Sequence, residues 1–267
     1  MTIGGKKMDD LMNKVAFITG AASGIGKATA TALASKGMKV ALVDVNVEDL
    51  EEVKNSINNN EGEAISLEAN VADPESLHQA IQSTIDKWNR LDTVFINAGI
   101  NGAVSSIEDL TPLEWDTTIE TNLKSTFLTV KYSIPHLKSN GGSIIITSSI
   151  NGNRIVKNFG MSAYSTSKAG QVAFGKMAAL ELAQYKIRVN IICPGAIDTN
   201  IEKNTFKDQE HLEEIIIPVE YPEGSQPLSH GSGSASQVAD LVSFLSSDLS
   251  NHITGTEIYI DGAESLL

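Results

Sequence analysis

A tyrosine and a lysine four residues apart, Tyr164 and Lys168, are the side chains whose types and spacing most directly suggest chemistry. On an α-helix, residues four apart lie on one face, so the phenol and the ammonium can share a site. A free phenol has a pKa of about 10 and is a poor proton shuttle at neutral pH. A positive charge about 4 Å away, at an effective dielectric of 20, favours the phenolate by roughly 4 kcal/mol, or roughly 3 pKa units. We therefore expect Lys168 to lower the pKa of Tyr164 and to make it a working acid/base group.

A second candidate site is a glycine-rich turn between a predicted strand and a predicted helix. The run 15–19 is β-branched and aromatic, and the turn that follows it leads into an alanine-rich helical stretch. Bare glycine backbone can approach a pyrophosphate, which the amide N–H groups and the helix N-terminus then hold. The predicted cofactor contacts in this turn are Gly20, Ser23, Gly24, Ile25 and Gly26.

Asp44, at the end of the next predicted strand, indicates which dinucleotide would bind. Its carboxylate can accept hydrogen bonds from the adenosine ribose hydroxyls, whereas a 2′-phosphate at this position would meet a negative charge. The sequence has no Lys or Arg between Asp44 and Lys54. The predicted cofactor is therefore NAD rather than NADP.

Strand-like and helix-like stretches alternate along the whole chain. Helix-start signals are the Asp73-Pro74 pair and the capping box that begins at Thr111. The alternation predicts an α/β fold: a single doubly wound Rossmann-type domain over residues 1–267, with a parallel sheet of about seven strands and helices on both faces. The predicted strands are 15–19, 40–44, 64–68, 93–97, 143–148, 188–193 and 257–260.

The polar segment 197–234 is too long to be an ordinary connection inside a compact domain. Segments of this length without regular structure are usually lids or binding loops. We expect it to form a substrate loop or lid, with a short helix of its own around residues 208–216.

The overall charge argues against several classes of partner. The chain has 20 basic and 33 acidic residues, a net charge of -13, and only three arginines. Such a surface repels phosphate backbones and anionic lipids, so we expect no nucleic-acid partner and no membrane docking.

The single cysteine, Cys193, excludes a disulfide framework and a cysteine-rich metal site, and no metal is predicted. Without a secretory signal or an apolar run of about 20 residues, the expected location is cytoplasmic.

Taken together, these motifs resemble the short-chain dehydrogenase/reductase family over residues 15–262. The resemblance implies a Rossmann-type fold and a homotetramer or homodimer packed through the helices near Pro112 and Met161. It also implies that Tyr164 moves the substrate hydroxyl proton while a nicotinamide cofactor exchanges hydride. The motifs that carry the resemblance are Thr19-Gly20-x-x-x-Gly24-x-Gly26, Asn97-Ala98-Gly99, Asn122, Ser148-Ser149, Tyr164-x-x-x-Lys168 and Pro194-Gly195.

The resemblance also implies a role for each matching residue. Lys168 would lower the pKa of Tyr164 and hold the nicotinamide ribose, a serine would bind the substrate oxygen, and Asn122 would support a water relay behind Lys168. The implied catalytic residues are Asn122, Ser149, Tyr164 and Lys168. The implied cofactor contacts beyond the glycine-rich turn are Asp44, Asn70, Val71, Asn97, Ala98, Gly99, Tyr164, Lys168, Pro194, Gly195, Ile197 and Thr199.

Some positions depart from the family pattern. Ile96 stands where the family often has a first asparagine, so Asn97 alone carries that role. Asn70 replaces the aspartate that commonly contacts adenine, and its amide oxygen can still accept a hydrogen bond from the adenine amine.

The choice of the substrate serine rests on its neighbours. Ser149 is preferred to Ser148 because Ile150-Asn151-Gly152 resembles the segment that follows this serine in the family. The spacing to Tyr164 is longer than usual, and we expect the extra residues to bulge within 153–160. For Ser148 the expected role is to cap the strand end.

Three functional hypotheses follow. The leading one is an NAD-dependent oxidoreductase that interconverts a secondary alcohol and a ketone. A 3-oxoacyl-thioester reductase is the alternative enzyme, although a net charge of -13 gives no steering toward an acidic carrier protein. Residues 200–224 add seven acids against two lysines, so a small neutral polyol, sugar or hydroxy-ketone is expected. The third hypothesis, a regulator that binds NAD without turnover, is disfavoured because all four catalytic side chains are present.

Overall fold

The computed structural model describes residues 8–156, 159–199, 201–207 and 225–267. Seven of its strands form one parallel sheet, in the order β11-β7-β6-β4-β1-β2-β3, as the alternating pattern predicts. The strands are β1 (Val15–Thr19), β2 (Lys39–Asp44), β3 (Glu63–Glu68), β4 (Thr93–Ile96), β5 (Gly102–Val104), β6 (Gly142–Thr147), β7 (Ile187–Pro194), β8 (Ile197–Asp198), β9 (Thr205–Lys207), β10 (Gly233–Ser234) and β11 (Glu257–Ile260).

Helices cover both faces of this sheet. A fully buried strand such as β1 needs an apolar run rather than an alternating one, because both of its faces pack against helices. One face packs against α3, α5 and α6, and the other against α1, α2 and α7. The helices are α1 (Gly24–Ser35), α2 (Val47–Asn59), α3 (Pro74–Trp88), α4 (Pro112–Ile119), α5 (Ser125–Leu137), α6 (Ser162–Leu182) and α7 (Ala235–Ser246).

The order in which strands are added to the sheet reverses between β1 and β4, and this switch point creates the crevice for the site. β1 pairs with β2 on one side and with β4 on the other, so the loops after β1 and β4 diverge to opposite faces. In open α/β sheets, ligands bind at this switch point, outside the carboxyl ends of the strands.

Local capping explains where several helices begin. The Asp73 carboxylate accepts hydrogen bonds from the N–H groups of Glu75 (3.4 Å) and Ser76 (3.2 Å) at the start of α3. Thr111 and Glu114 form the predicted capping box at the start of α4. These side chains satisfy backbone donors that have no partner within the helix.

The long helix predicted from residue 112 to about 138 contains a π-helical segment. This segment (Glu120–Lys124) joins α4 to α5 and includes Asn122. π-Helical turns are rare and often lie at functional sites.

The described parts of segment 197–234 are held by two small parallel sheets, β8 with β10 and β5 with β9. The helix predicted around residues 208–216 lies outside the described residues, as do residues 157–158 of the predicted bulge. Within the described part of the chain, no helix is both long and apolar enough to span a bilayer.

Candidate active site

The predicted site residues converge at the carboxyl edge of the sheet. The glycine-rich turn follows β1, Asn97 follows β4, Ser149 follows β6 and Gly195 follows β7. The first turns of α6 add Tyr164 and Lys168, both buried.

The glycine-rich turn requires its glycines. Gly20 and Gly24 have φ angles of +68° and +51°, a region that favours glycine. A Cβ on Gly26 would lie 1.9 Å from the Gly20 carbonyl oxygen. Within the described part of the chain, the Ser23 side chain makes no capping hydrogen bond to α1, so the first amides of that helix stay available to an anion.

Asp44 lies beside this turn. Its carboxylate accepts hydrogen bonds from the Ala22 N–H and the Asn46 N–H, both at 3.1 Å. Carboxylate oxygens can accept further hydrogen bonds, as a ribose diol would require. Val71 is buried after β3, whereas Asn70 is exposed and its Oδ1 accepts from the Ala72 N–H at 3.0 Å.

Asn97 holds the end of β4 against the glycine-rich turn. Its backbone N–H and that of Ala98 donate to Thr19 Oγ1, at 3.0 and 3.1 Å. Its Nδ2 donates to the carbonyls of Thr19 (3.3 Å) and Gly20 (3.4 Å). The Asn97 amide therefore shapes the turn from within the protein.

Tyr164 and Ser149 form the centre of the candidate site. Ser149 lies close enough to the phenol to lower the pKa of Tyr164, and Tyr164 is only 9% exposed. Lys168 Nζ lies 5.6 Å from the centroid of the Tyr164 ring and donates to the Thr147 carbonyl at 2.9 Å. The phenol, the hydroxyl and the ammonium thus share one buried corner.

Burial controls the pKa values of both ionisable groups. It raises the pKa of Tyr164, and the nearby Ser149 hydroxyl offsets this only in part. It also lowers the pKa of Lys168 to about 8. The expectation that Lys168 would bring the pKa of Tyr164 down is therefore wrong for this arrangement. Desolvation of the phenolate, which residue spacing does not reveal, is the largest effect on this pKa.

The two adjacent serines have different environments. Ser148 Oγ donates to the Lys168 carbonyl at 2.8 Å and accepts from Asn153 Nδ2 at 3.0 Å, so it ties the end of β6 to α6. Ser149 Oγ accepts from the Asn151 N–H at 3.1 Å and contacts the Tyr164 hydroxyl. Ser149 is thus the serine beside the phenol.

Asn122 is fully buried and joins three elements. Its Oδ1 accepts from the Ile100 N–H at 2.9 Å, and its Nδ2 donates to the Ile100 carbonyl (2.9 Å) and to Ser167 Oγ (3.0 Å). Its backbone carbonyl accepts from Gln171 Nε2 at 3.0 Å. Gln171 was not among the predicted residues, although its position three after Lys168 on α6 places it on the same face.

The turn after β7 closes the crevice on its other side. The Pro194 carbonyl accepts from the Ile150 N–H at 3.0 Å, next to Ser149. A Cβ on Gly24 would lie 3.3 Å from Thr199 Cβ, so Thr199 lies beside the glycine-rich turn. Ile197 lies between them in β8.

The hydrogen-bonding groups at this edge suit a dinucleotide. Bare backbone at the turn, a carboxylate at the second strand end and a buried Lys168 match a pyrophosphate, a ribose diol and a further ribose. Among the described residues, no group of three or more His, Cys, Asp or Glu side chains could hold a metal ion.

A separate cavity of about 750 Å³ opens at the opposite edge of the sheet. Its charged lining is largely paired: Arg90 with Asp92 at 2.7 Å, and Lys14 with Asp248 at 3.3 Å. It contains none of the predicted site residues.

Comparison with known proteins identifies relatives along nearly the whole chain. A family model described as enoyl-(acyl carrier protein) reductase matches residues 20–263. Cyclohexanol dehydrogenase from Acinetobacter sp. (strain SE19) is 37% identical over 252 residues, covering 94% of both chains. The crystal structure of a 3-ketoacyl-ACP reductase from Sinorhizobium meliloti 1021 superposes with a TM-score of 0.89 at 45% identity, covering 94% of this chain and 99% of that one. A short chain dehydrogenase from Burkholderia cenocepacia J2315, solved in complex with NADP, gives a TM-score of 0.83 at 31% identity, covering 95% and 98%.

Proposed function

Since this chain belongs to the short-chain dehydrogenase/reductase family and is an oxidoreductase of secondary alcohols and ketones, we propose that it uses NAD and acts on small neutral substrates. The observation that carries the proposal is that Ser149, Tyr164 and Lys168 lie together and buried, at the edge of the sheet that carries the glycine-rich turn.

The proposed chemistry assigns one task to each of these side chains. When bound, the nicotinamide cofactor supplies or accepts the hydride. In ketone reduction, neutral Tyr164 donates its proton to the substrate oxygen, which Ser149 holds by a hydrogen bond. The Lys168 ammonium stabilises the phenolate that remains. In alcohol oxidation, the same groups act in reverse and Tyr164 takes the proton. Asn122, which hydrogen-bonds the loop after β4, is proposed to support proton exchange behind Lys168.

The preference for NAD is proposed on the placement of Asp44. Its carboxylate is fixed by two backbone N–H groups, so a 2′-phosphate nearby would lie close to an uncompensated negative charge. Asn70, Val71, Ile197 and Thr199 are proposed as further contacts because they border the same crevice. The NADP seen in one relative belongs to that protein.

A small neutral substrate is proposed on charge and relatedness. The net charge of -13 disfavours anionic substrates and acidic carrier proteins. A relative named for cyclohexanol oxidation favours a neutral secondary alcohol. The second candidate function, reduction of a 3-oxoacyl thioester, is favoured by the 45% identity to a 3-ketoacyl-ACP reductase.

A substrate panel tests the choice. NADH absorbance would be followed with cyclohexanol, sorbitol and small hydroxy-ketones, and in parallel with acetoacetyl thioesters of coenzyme A and of an acyl carrier protein. We expect the highest kcat/KM on a neutral alcohol or ketone. A clear preference for the thioesters would establish the second candidate instead. Cofactor binding without turnover on any compound would favour the non-catalytic regulator.

Exposed apolar side chains on two helices bear on the assembly of the protein. Phe127 on α5 and Met177 and Leu180 on α6 expose large apolar surfaces, as expected for helices that pack against a second copy. We propose a homotetramer, with a homodimer as the alternative, and a cytoplasmic location. Light scattering during gel filtration would give the assembly mass.

A further inference from the structure

The segment 194–199, from the end of β7 to the residue after β8, bridges the two halves of the proposed site. Thr199 lies beside Gly24 of the glycine-rich turn, and the Pro194 carbonyl accepts a hydrogen bond from the loop that carries Ser149. The position of this segment therefore sets the spacing between the cofactor cradle and the catalytic hydroxyls. A shift of about 1 Å in such a support can reduce turnover strongly.

A buried carboxylate from the C-terminal tail holds this segment at the Ala196 turn. Glu264 is only 7% exposed, and its Oε2 accepts a hydrogen bond from the Ala196 N–H at 2.9 Å. The same oxygen accepts from Gln226 Nε2 at 3.1 Å. Gln226 is 3% exposed, and its Nε2 also donates to the Ala196 carbonyl at 2.7 Å. One oxygen thus joins the C-terminal tail, the Ala196 turn and Gln226.

Backbone contacts run alongside this junction. The Gly195 N–H donates to the Ile260 carbonyl at 3.1 Å, and the Leu228 N–H donates to the Gly262 carbonyl at 3.1 Å. A Cβ on Gly195 would lie 2.7 Å from Glu264 Oε2, so the turn and the tail are in direct contact. We call Gln226, Glu264 and their contacts with Ala196 the C-terminal clamp.

Glu264 places a carboxylate where it is almost completely buried. Burying a charge costs stability unless hydrogen bonds compensate it, and a well-packed apolar side chain is often at least as stabilising. An apolar residue, however, cannot accept hydrogen bonds from two N–H donors at once. Loss of the Glu264 carboxylate would leave the Ala196 N–H and one N–H of the Gln226 amide without a partner inside the protein.

We propose that Glu264 is a positioning residue, which acts through the Ala196 turn to hold the nicotinamide end of the cofactor site in its working geometry. The inference rests on the proposed function, because it assigns the turn to the nicotinamide half of NAD. Glu264 would act through the contacts of the C-terminal clamp.

The test compares Glu264→Ala with Glu264→Gln and with Asp248→Ala, a control carboxylate near the C-terminus whose partner is Lys14 at the opposite edge of the sheet. NADH affinity is measured by fluorescence titration, and kcat and KM are measured on the best substrate of the panel. We expect Glu264→Ala to weaken NADH binding about tenfold or more and to raise KM more than it lowers kcat. Glu264→Gln keeps an acceptor oxygen and should restore most of the affinity, while Asp248→Ala should match the parent.

NADH affinity equal to the parent's in Glu264→Ala, at any thermal midpoint, would overturn the proposal. If that variant does not fold, Gln226→Ala removes the other side chain of the same junction. An NADH affinity equal to the parent's in Gln226→Ala would likewise overturn the proposal. A different result would refute the proposed function: a parent that binds NADH but oxidises no alcohol and reduces no ketone. In that case the comparison of NADH affinities would still test the role of the C-terminal clamp.

Discussion

At the scale of single residues, the chemistry rests on two buried ionisable side chains, the phenol of Tyr164 and the ammonium of Lys168. Burial raises the pKa of Tyr164, so the phenol is protonated at neutral pH and ready to donate. Burial also lowers the pKa of Lys168 to about 8, so most of the ammonium is still charged at pH 7. At neutral pH these two groups are therefore in the protonation states that ketone reduction requires.

The pH dependence of ketone reduction follows from these directions. Raising the pH through about 8 removes the Lys168 charge that stabilises the developing phenolate. Raising it further removes the Tyr164 proton itself. We expect kcat/KM for reduction to be level near pH 7 and to fall above about pH 8. Lys168→Met should be slower throughout and should lose the first part of this fall. A reduction rate that increases from pH 7 to pH 9 would contradict the assignment.

Asp44 determines the predicted cofactor preference. Replacing it by serine and its exposed neighbour Val45 by arginine removes a negative charge and adds a guanidinium for a 2′-phosphate. The ratio of kcat/KM with NAD to that with NADP should fall at least about tenfold. Glu52→Ser, which removes an exposed acid from α2, is the matched control. A double variant that keeps the parent's ratio would show that Asp44 does not select the cofactor.

Residue types and spacing are enough to single out part of the candidate site. Tyr164, Lys168 and the glycines can be proposed from the sequence because helical periodicity and backbone sterics act locally. The pKa of Tyr164 could not, because it depends on burial by parts of the chain that are distant in sequence. Gln226 and Glu264 were missed for the same reason: they meet across 38 positions, and nothing in the local sequence pairs them.

At the scale of elements, the π-helical segment between α4 and α5 presents Asn122 to the loop after β4. The extra residue in this turn interrupts the regular 3.6-residue periodicity of the long helix. The Asn122 side chain makes three hydrogen bonds there, all buried or partly buried. The segment therefore connects the strand edge to α6, which carries Tyr164 and Lys168.

Asn122→Ala tests this connection. It removes those hydrogen bonds and leaves the Ile100 backbone groups without their partner, so the free energy of unfolding should drop by roughly 1–3 kcal/mol. Turnover should fall as well, since Asn97 after β4 hydrogen-bonds the glycine-rich turn that is proposed to hold the cofactor. Asn140→Ala, at an exposed position after α5, should change stability by less than about 0.5 kcal/mol. Denaturant unfolding of the two variants would decide, and equal stabilities would refute the structural role.

Elements with strong local signals were predictable, and short ones formed by distant partners were not. The capping residues before α3, α4 and α7 mark their starts in the sequence. α2 carries Leu50, Val53 and Ile57 on its buried face, a helical spacing that the sequence reading left unassigned. β5 and β9 pair residues about 100 positions apart, such as Gly102 with Thr205, and neither strand has enough residues to show a pattern.

At the scale of the whole molecule, charge decides which partners can approach. A surface with a net charge of -13 repels an acidic carrier protein, and added salt screens this repulsion. If the enzyme reduces an acetoacetyl group on such a carrier at all, kcat/KM should rise with ionic strength. On a neutral ketone it should stay nearly level. A rate on the carrier that falls with salt would reveal an attractive docking surface and favour the thioester function.

The central claim is that Tyr164 moves the substrate proton while NAD exchanges hydride with the carbon that bears the oxygen. Its most direct test is turnover of Tyr164→Phe on the best alcohol or ketone of the panel, with NADH affinity measured on the same sample. We predict a loss of roughly a hundredfold or more in kcat, since positioned acid/base groups contribute about 10² to 10⁴, with NADH binding close to that of the parent. Parent-like turnover by Tyr164→Phe would contradict the account.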